Sequence, residues 1–137
     1  MAIEFEGLEK VLDSIETLAD MQNIEMALGK ACAIVEASAK KKAPKDSGNL
    51  RRSITSKVEN NEGVVYTPLF YAPYVEYGTG LFAESGGRTD VPWNYQDDKG
   101  NWHSTSGMKP QPFMRPALYE NKEEILRIIK EGLTNND

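Results

Sequence analysis

His103 and Cys32 are the only histidine and the only cysteine among 137 residues, and they bound the chemistry this chain can do. Any Ser or Cys nucleophile would have to share that one imidazole as its base, and no Gly-x-Ser-x-Gly elbow presents a serine to it. Cys32 falls among apolar residues at helical spacing, where a thiol stays neutral and behaves as a small hydrophobe. One cysteine permits no internal disulfide framework, and a lone histidine without neighbouring thiols makes a poor metal site. Glu84-Ser-Gly-Gly-Arg88 has glycines but neither a Walker lysine nor a following apolar helix, so it is no phosphate cradle. Glu76, beside Tyr77 and Gly78, is the best-placed acid for hydrolysis, yet no partner carboxylate is legible for it. It fits better as an acceptor of backbone N–H groups, or as the partner of Arg51, Arg52 or Arg115. The expectation is a protein without catalytic residues, cofactor or metal.

What remains is charge. The formal net charge is −5, but seven cations between Lys40 and Lys57 face only Asp46, giving that stretch +6 and leaving −11 for the remainder. A basic stretch on an acidic body can bind nucleic acid, or it can meet an acidic neighbouring subunit. Aromatic residues are not interleaved with Lys40 to Arg52, as stacking platforms for bases require, and a pI near 5.0 disfavours a dedicated nucleic-acid binder. Nucleic-acid binding through Lys40–Arg52 stands as the alternative reading.

The elements that must carry these residues follow from periodicity. Leu8, Val11, Leu12, Ile15 and Leu18 recur at three- and four-residue steps, and Ile24, Leu28, Ala31, Cys32, Val35 and Ala39 do so again. Asp20 to Asn23 holds poor helix formers, so the expectation is a helix pair, or one broken helix, over roughly the first 42 residues. Lys40, Lys41 and Lys42 suit a helix C-terminus, and Pro44 prevents continuation. Lys45 to Asn49 is a turn by composition. Ser53–Glu59 and Gly63–Thr67 alternate as two short antiparallel strands joined through Asn60 to Gly63, with Pro68 ending the second. Tyr71 to Tyr77 predicts a short helix stopped at Gly78, its aromatic side packed on the sheet or on the second helix. Pro116 suits the first turn of a last helix whose apolar face is Leu118, Ile125, Leu126, Ile129 and Leu133.

Thr79 to Met108 is far longer than an ordinary connection. Asp97-Asp-Lys-Gly100 can turn a hairpin that sets Trp93 or Tyr95 opposite Trp102. Two exposed tryptophans there would be a surface awaiting cover. No run approaches the roughly 20 apolar residues of a membrane span, and the acidic start Met-Ala-Ile-Glu-Phe-Glu is not a signal peptide. A chain of this length fits one domain.

Three blocks, in order, carry a resemblance: Lys41-Lys-Ala-Pro-Lys-Asp-Ser-Gly-Asn-Leu-Arg-Arg-Ser-Ile54, Tyr71-Ala-Pro-Tyr-Val-Glu-Tyr-Gly-Thr79, and Pro112-Phe-Met-Arg-Pro-Ala-Leu118. Together they resemble the tail-completion, or head–tail joining, minor tail proteins of long-tailed phages and prophages. The Trp93–Trp102 excursion resembles an insertion found in that family between the second and third blocks. The resemblance implies an α+β subunit with helices packed on a small antiparallel sheet. It also implies a homo-oligomeric ring, hexameric by expectation, in the virion neck, made in a bacterial host's cytoplasm. Its partners would be other neck and tail proteins, with no membrane, and with DNA only passing through the ring. Pro44 would then be the helix stop, Gly48 the turn, Tyr71 and Tyr74 a core corner, and Pro112, Phe113, Arg115 and Pro116 the lead into the last helix. Leu50, Arg51, Arg52, Glu76 and Gly78 complete the structural set, while Lys40, Lys41, Lys42, Trp93, Tyr95 and Trp102 are the candidate interface.

Overall fold

The computed structural model describes residues 1–4, 18–45, 48–87 and 90–134. The chain divides into two compact units, Met1–Pro68 with Phe113–Asp137, and Leu69–Pro112. The arrangement is α+β, as the sequence predicts.

The first unit is organised by helix α1, Leu18–Lys42, about 37 Å long at 1.5 Å per residue. Ile24, Ala27, Leu28, Ala31, Cys32, Val35 and Ala39 form its buried face, all at 3% exposure or less. The break expected at Asp20–Asn23 does not occur, because helix propensity is a weak prior that burial of the adjoining Ile24, Ala27 and Leu28 overrides. Leu8, Val11, Leu12 and Ile15, the first stripe of the sequence reading, lie outside the described residues. At the other end Ala43 N–H donates to the Ala39 carbonyl at 2.9 Å before Pro44 stops the helix, and three lysines occupy the last turn.

Gly48, at φ 71°, turns the chain into a single helical turn, α2, Asn49–Ser53. Ser53 therefore ends a helix instead of beginning a strand, and β2 covers Thr55–Glu59. Strand β3, Glu62–Tyr66, pairs antiparallel with β2 from Thr55↔Tyr66 to Glu59↔Glu62. The two residues left between them, Asn60 and Asn61, both have positive φ (51° and 61°), the geometry of a type I′ turn, which Asn tolerates. The sheet has three strands where two were expected. Strand β1, Ala2–Glu4, pairs antiparallel along the other edge of β3. Val65 and Thr67 are buried, and the Thr67 hydroxyl is 2.7 Å from that of Ser53, which also reaches the Leu50 carbonyl at 2.6 Å.

Where one last helix was expected there are two, α4 (Met114–Tyr119) and α5 (Lys122–Thr134). Pro116 does stand in the first turn of α4, and Phe113, Met114 and Ala117 are fully buried. Ile125 and Ile129 are the buried residues of α5, whereas Leu126, read as part of its apolar face, is 51% exposed. Helices α1 and α5 pack so closely that a Cβ at Gly132 would lie 2.7 Å from that of Ala27. The outer face of α5 is charged, with Arg127 pairing with Glu124 at i−3 and with Glu131 at 2.7 Å, at i+4.

The second unit opens with α3, Ala72–Tyr77, and its C-terminal Gly78 at φ 82°. Its buried side is Ala72, Val75 and Glu76, and its tyrosines face outward. Tyr74 is 52% exposed, so the core corner assigned to it is wrong, and Tyr71 is only half-buried. The three-residue tyrosine spacing marks one face of a helix without saying which face is inside. Beyond α3 come a 3₁₀ turn, Gly80–Phe82, and a hairpin of β4, Trp93–Gln96, with β5, Trp102–Thr105.

Two consequences are measurable. Leu28→Ala should cost about 2–5 kcal/mol as a large-to-small core change, and Tyr74→Ala only about 0.5 kcal/mol or less as a surface one. Equal losses in urea denaturation would return Tyr74 to the core. Burial, with Glu36 nearby, pushes the Cys32 thiol up to about 11, opposed by a backbone hydrogen bond from Val64. The unfolded thiol ionises near 9.0 while the folded one keeps its proton. That contribution to stability is complete below pH 9.0 and is lost as pH rises toward about 11. The fall in thermal midpoint over this interval should be steeper in wild type than in Cys32→Ala, and native Cys32 should resist thiol reagents at neutral pH.

Candidate assembly surfaces

The described residues span two units. Among them no three His, Cys, Asp or Glu side chains cluster as metal ligands would, and no helix is long and apolar enough to cross a membrane. What they do offer is two surfaces, one in each unit.

In the Leu69–Pro112 unit the surface is apolar. Among the described residues, ten large hydrophobic side chains are exposed, and seven belong to this unit: Phe70, Tyr74, Tyr77, Leu81, Phe82, Tyr95 and Trp102. Only Met26, Tyr119 and Leu126 belong to the larger one, so the concentration is not an average property of the surface. Phe70 and Tyr71 meet edge to face at 5.6 Å, and Lys109 Nζ lies 5.9 Å from the centre of the Phe82 ring. Of the predicted interface residues, Trp102 is 69% exposed and Tyr95 45%, while Trp93 is half-buried.

The backbone beneath these side chains is closely tied. Thr79 N–H donates to the Met108 carbonyl at 2.9 Å, and Met108 N–H returns a bond to the Thr79 hydroxyl at 2.9 Å. Leu81 N–H donates to the Ser106 carbonyl at 3.0 Å. A Cβ at Gly107, where φ is 120°, would lie 2.1 Å from the Thr79 carbonyl oxygen, and one at Gly80 2.3 Å from that of Ser106. Only glycine permits this contact, and it closes the base of the excursion.

The hairpin register differs from the pairing read from sequence. Trp102 stands opposite Gln96, and Trp93 opposite Thr105, so the two tryptophans do not face each other. Tyr95 stands opposite His103 instead, with the rings stacked 25° apart in plane at 5.3 Å. Asp97 sets this register. Its Oδ1 accepts the N–H groups of Lys99 and Asn101 at 2.9 and 2.8 Å, and its Oδ2 accepts from His103 Nε2 at 2.7 Å. With Gly100 at φ 83° the loop turns back one residue later than a two-residue hairpin would. The histidine that was the only candidate base is thus a partner of a turn aspartate.

The larger unit carries the basic surface. Lys40, Lys41 and Arg51 line an open groove of about 580 Å³ together with Ala37, Ser38 and Asn121. Lys42 is engaged separately, by Glu120 at 2.5 Å. Arg51 Nη2 donates to the Ala43 carbonyl at 3.5 Å, and Arg52 Nη2 to Asn49 Oδ1 at 2.6 Å. Leu50 is buried beneath them. Glu76 is fully buried and engaged, Arg115 and Pro116 are half-buried, and Pro112 is exposed. The outward tyrosines were beyond reach of the sequence reading, which gave Glu76 a structural role as an acceptor of backbone N–H groups or an arginine's partner. The signal available was the run of small residues, Ala72-Pro73, at the start of α3.

The Asp97 geometry carries a pH dependence with a definite sign. Hydrogen bonding by His103 is the largest cause holding the Asp97 carboxyl below its usual 3.8. Its support of the hairpin is therefore present above pH 3.8 and lost as pH falls through the lower folded value. Asp97→Asn should remove that acid transition, read from the His103 and Tyr95 ring resonances, while leaving α-helical content unchanged. An acid transition unaltered by the substitution would detach the hairpin from Asp97.

Comparison with known proteins assigns the chain to a family. No curated protein and no solved structure matches the chain. A family model described as “Bacteriophage HK97-gp10, putative tail-component” matches residues 6–78, a span that includes Lys40, Lys41 and Arg51 of the basic groove, the β2–β3 hairpin and α3. The chain accordingly belongs to the HK97-gp10-like family of phage tail components.

Proposed function

We propose that this protein is a non-enzymatic structural subunit of a phage or prophage virion, that its copies close into a ring, and that the ring completes the tail and joins it to the capsid. The observation that carries the step from tail component to assembly part is the concentration of exposed aromatic and aliphatic side chains in Leu69–Pro112. A folded subunit keeps such a surface at a cost in solubility, and the cost is offset when other copies or neighbouring neck and tail proteins cover it. The sequence blocks that resemble tail-completion proteins support the neck as the station and six as the number of copies. DNA would pass through the ring without being read.

The test combines a physical and a genetic arm. Light scattering or native mass spectrometry on the purified chain should find a closed oligomer. A phage lacking the gene should accumulate filled capsids and finished tails that remain separate in electron micrographs. Joined, infectious particles formed without the protein would overturn the role.

A further inference from the structure

The basic groove and the tip of the β2–β3 hairpin each carry more charge than the described residues around them neutralise. Lys40 and Lys41 have no ion-pair partner among the described residues, although their neighbour Lys42 already holds a carboxylate. Arg51 lines the groove with its Nη2 only loosely held, by a 3.5 Å bond to the Ala43 carbonyl. At the hairpin tip the opposite excess occurs. Glu59 and Glu62 stand directly across from each other in register, an arrangement of like charges that destabilises a strand pair. Lys57 relieves only Glu59, at 3.5 Å and largely in solvent, and Glu62 is exposed.

Among the described residues no ion pair joins the two patches. Val64 of β3 lies against Cys32 of α1. Lys40 lies eight residues farther along the helix, about 12 Å at 1.5 Å per residue. Strand β2 follows α2 in the chain, and Glu59 and Glu62 stand at the turn end of the β2–β3 hairpin. A second copy can bring the tip to the groove.

We infer that the Glu59–Glu62 hairpin tip of one copy docks in the Lys40–Lys41–Arg51 groove of the next, making the ring's subunit contact head to tail. A contact between two different patches of the same chain is heterologous, and repetition closes it into a ring when the rotation permits. The groove is open and shallow enough for a two-residue turn flanked by carboxylates, and Asn60 and Asn61 add polar edges between them. Charge complementarity of this kind sets register and encounter rate. The inference rests on the ring reading of the preceding subsection.

Charge reversal on each patch tests it. One variant carries Lys40→Glu with Lys41→Glu, and the other Glu59→Lys with Glu62→Lys. All four side chains are exposed or half-buried, so circular dichroism should show both variants folded. In sedimentation velocity at low salt the full-length wild type should associate and each variant alone should be monomeric. An equimolar mixture of the two should recover the oligomer, because each reversed patch then finds its complement. Rings that persist in both variants, or a mixture that stays monomeric, overturn the inference while the ring reading stands. A wild type that never leaves the monomer overturns both. Retention of a duplex DNA fragment by the wild type, lost in the Lys40/Lys41 variant, assigns the groove to phosphate and also overturns the inference.

Discussion

Everything in the larger unit is arranged around how closely other elements can approach one side of α1. That side is built from small residues, Ala27, Ala31, Cys32 and Ala39, with Ile24, Leu28 and Val35 interspersed. Small side chains give little area each, so their burial stabilises the fold only if partners come within van der Waals contact. Gly132 lets α5 do so over Ala27, and β3 comes near enough for its backbone to bond the Cys32 thiol. The same closeness explains why Cys32 is chemically quiet. A thiol wedged beneath a sheet has no room for the water or the cation that a thiolate needs. The residue that most invites a catalytic reading is thereby a consequence of packing.

This constraint was legible where it is written locally. The small-residue stripe from Ile24 to Ala39, the lysine-rich stop before Pro44 and the Asn60–Asn61 turn each state their geometry within a few residues. Elements whose reason is distant were not. Strand β1 has three residues and exists because Ala2 to Glu4 can pair with Val64 to Tyr66 some sixty residues later. Helix α2 is one turn long, too short for any period to show, and Glu120 and Asn121 divide the last helix without a proline or glycine to announce it. Tyr74 failed for a different reason. Aromatic spacing gives a helix face, but which face is buried depends on what the opposite side offers, here Ala72, Val75 and a fully buried Glu76.

The candidate surfaces divide along the same line. That Lys40, Lys41 and Arg51 would share a surface follows from the helix stop and turn between them, and the structure places all three along one groove. The aromatic residues of the excursion were singled out as a group, but their pairing turned on a side chain whose role lay unseen. Asp97 satisfies two turn N–H groups and His103 at once, and so places Tyr95 on His103 and leaves Trp102 opposite Gln96. A register is decided by whichever turn satisfies its own backbone, and cross-strand aromatic preference, worth about 1 kcal/mol or less, yields to it.

Division into two units also separates two kinds of adhesion. Apolar contact is non-directional and scales with area, so exposed Phe70, Leu81, Phe82 and Trp102 favour association without specifying a register. Paired charges contribute little net energy but penalise every misalignment that sets like against like. The ring we propose would need both, because area alone would admit open aggregates of many geometries. On that reading the larger unit would supply discriminating charge at the groove and hairpin tip, and the smaller apolar surface on a backbone tied at its base by Gly80 and Gly107. A surface whose loops are already ordered loses less conformational entropy when it is covered, and more of its apolar area then remains as binding free energy.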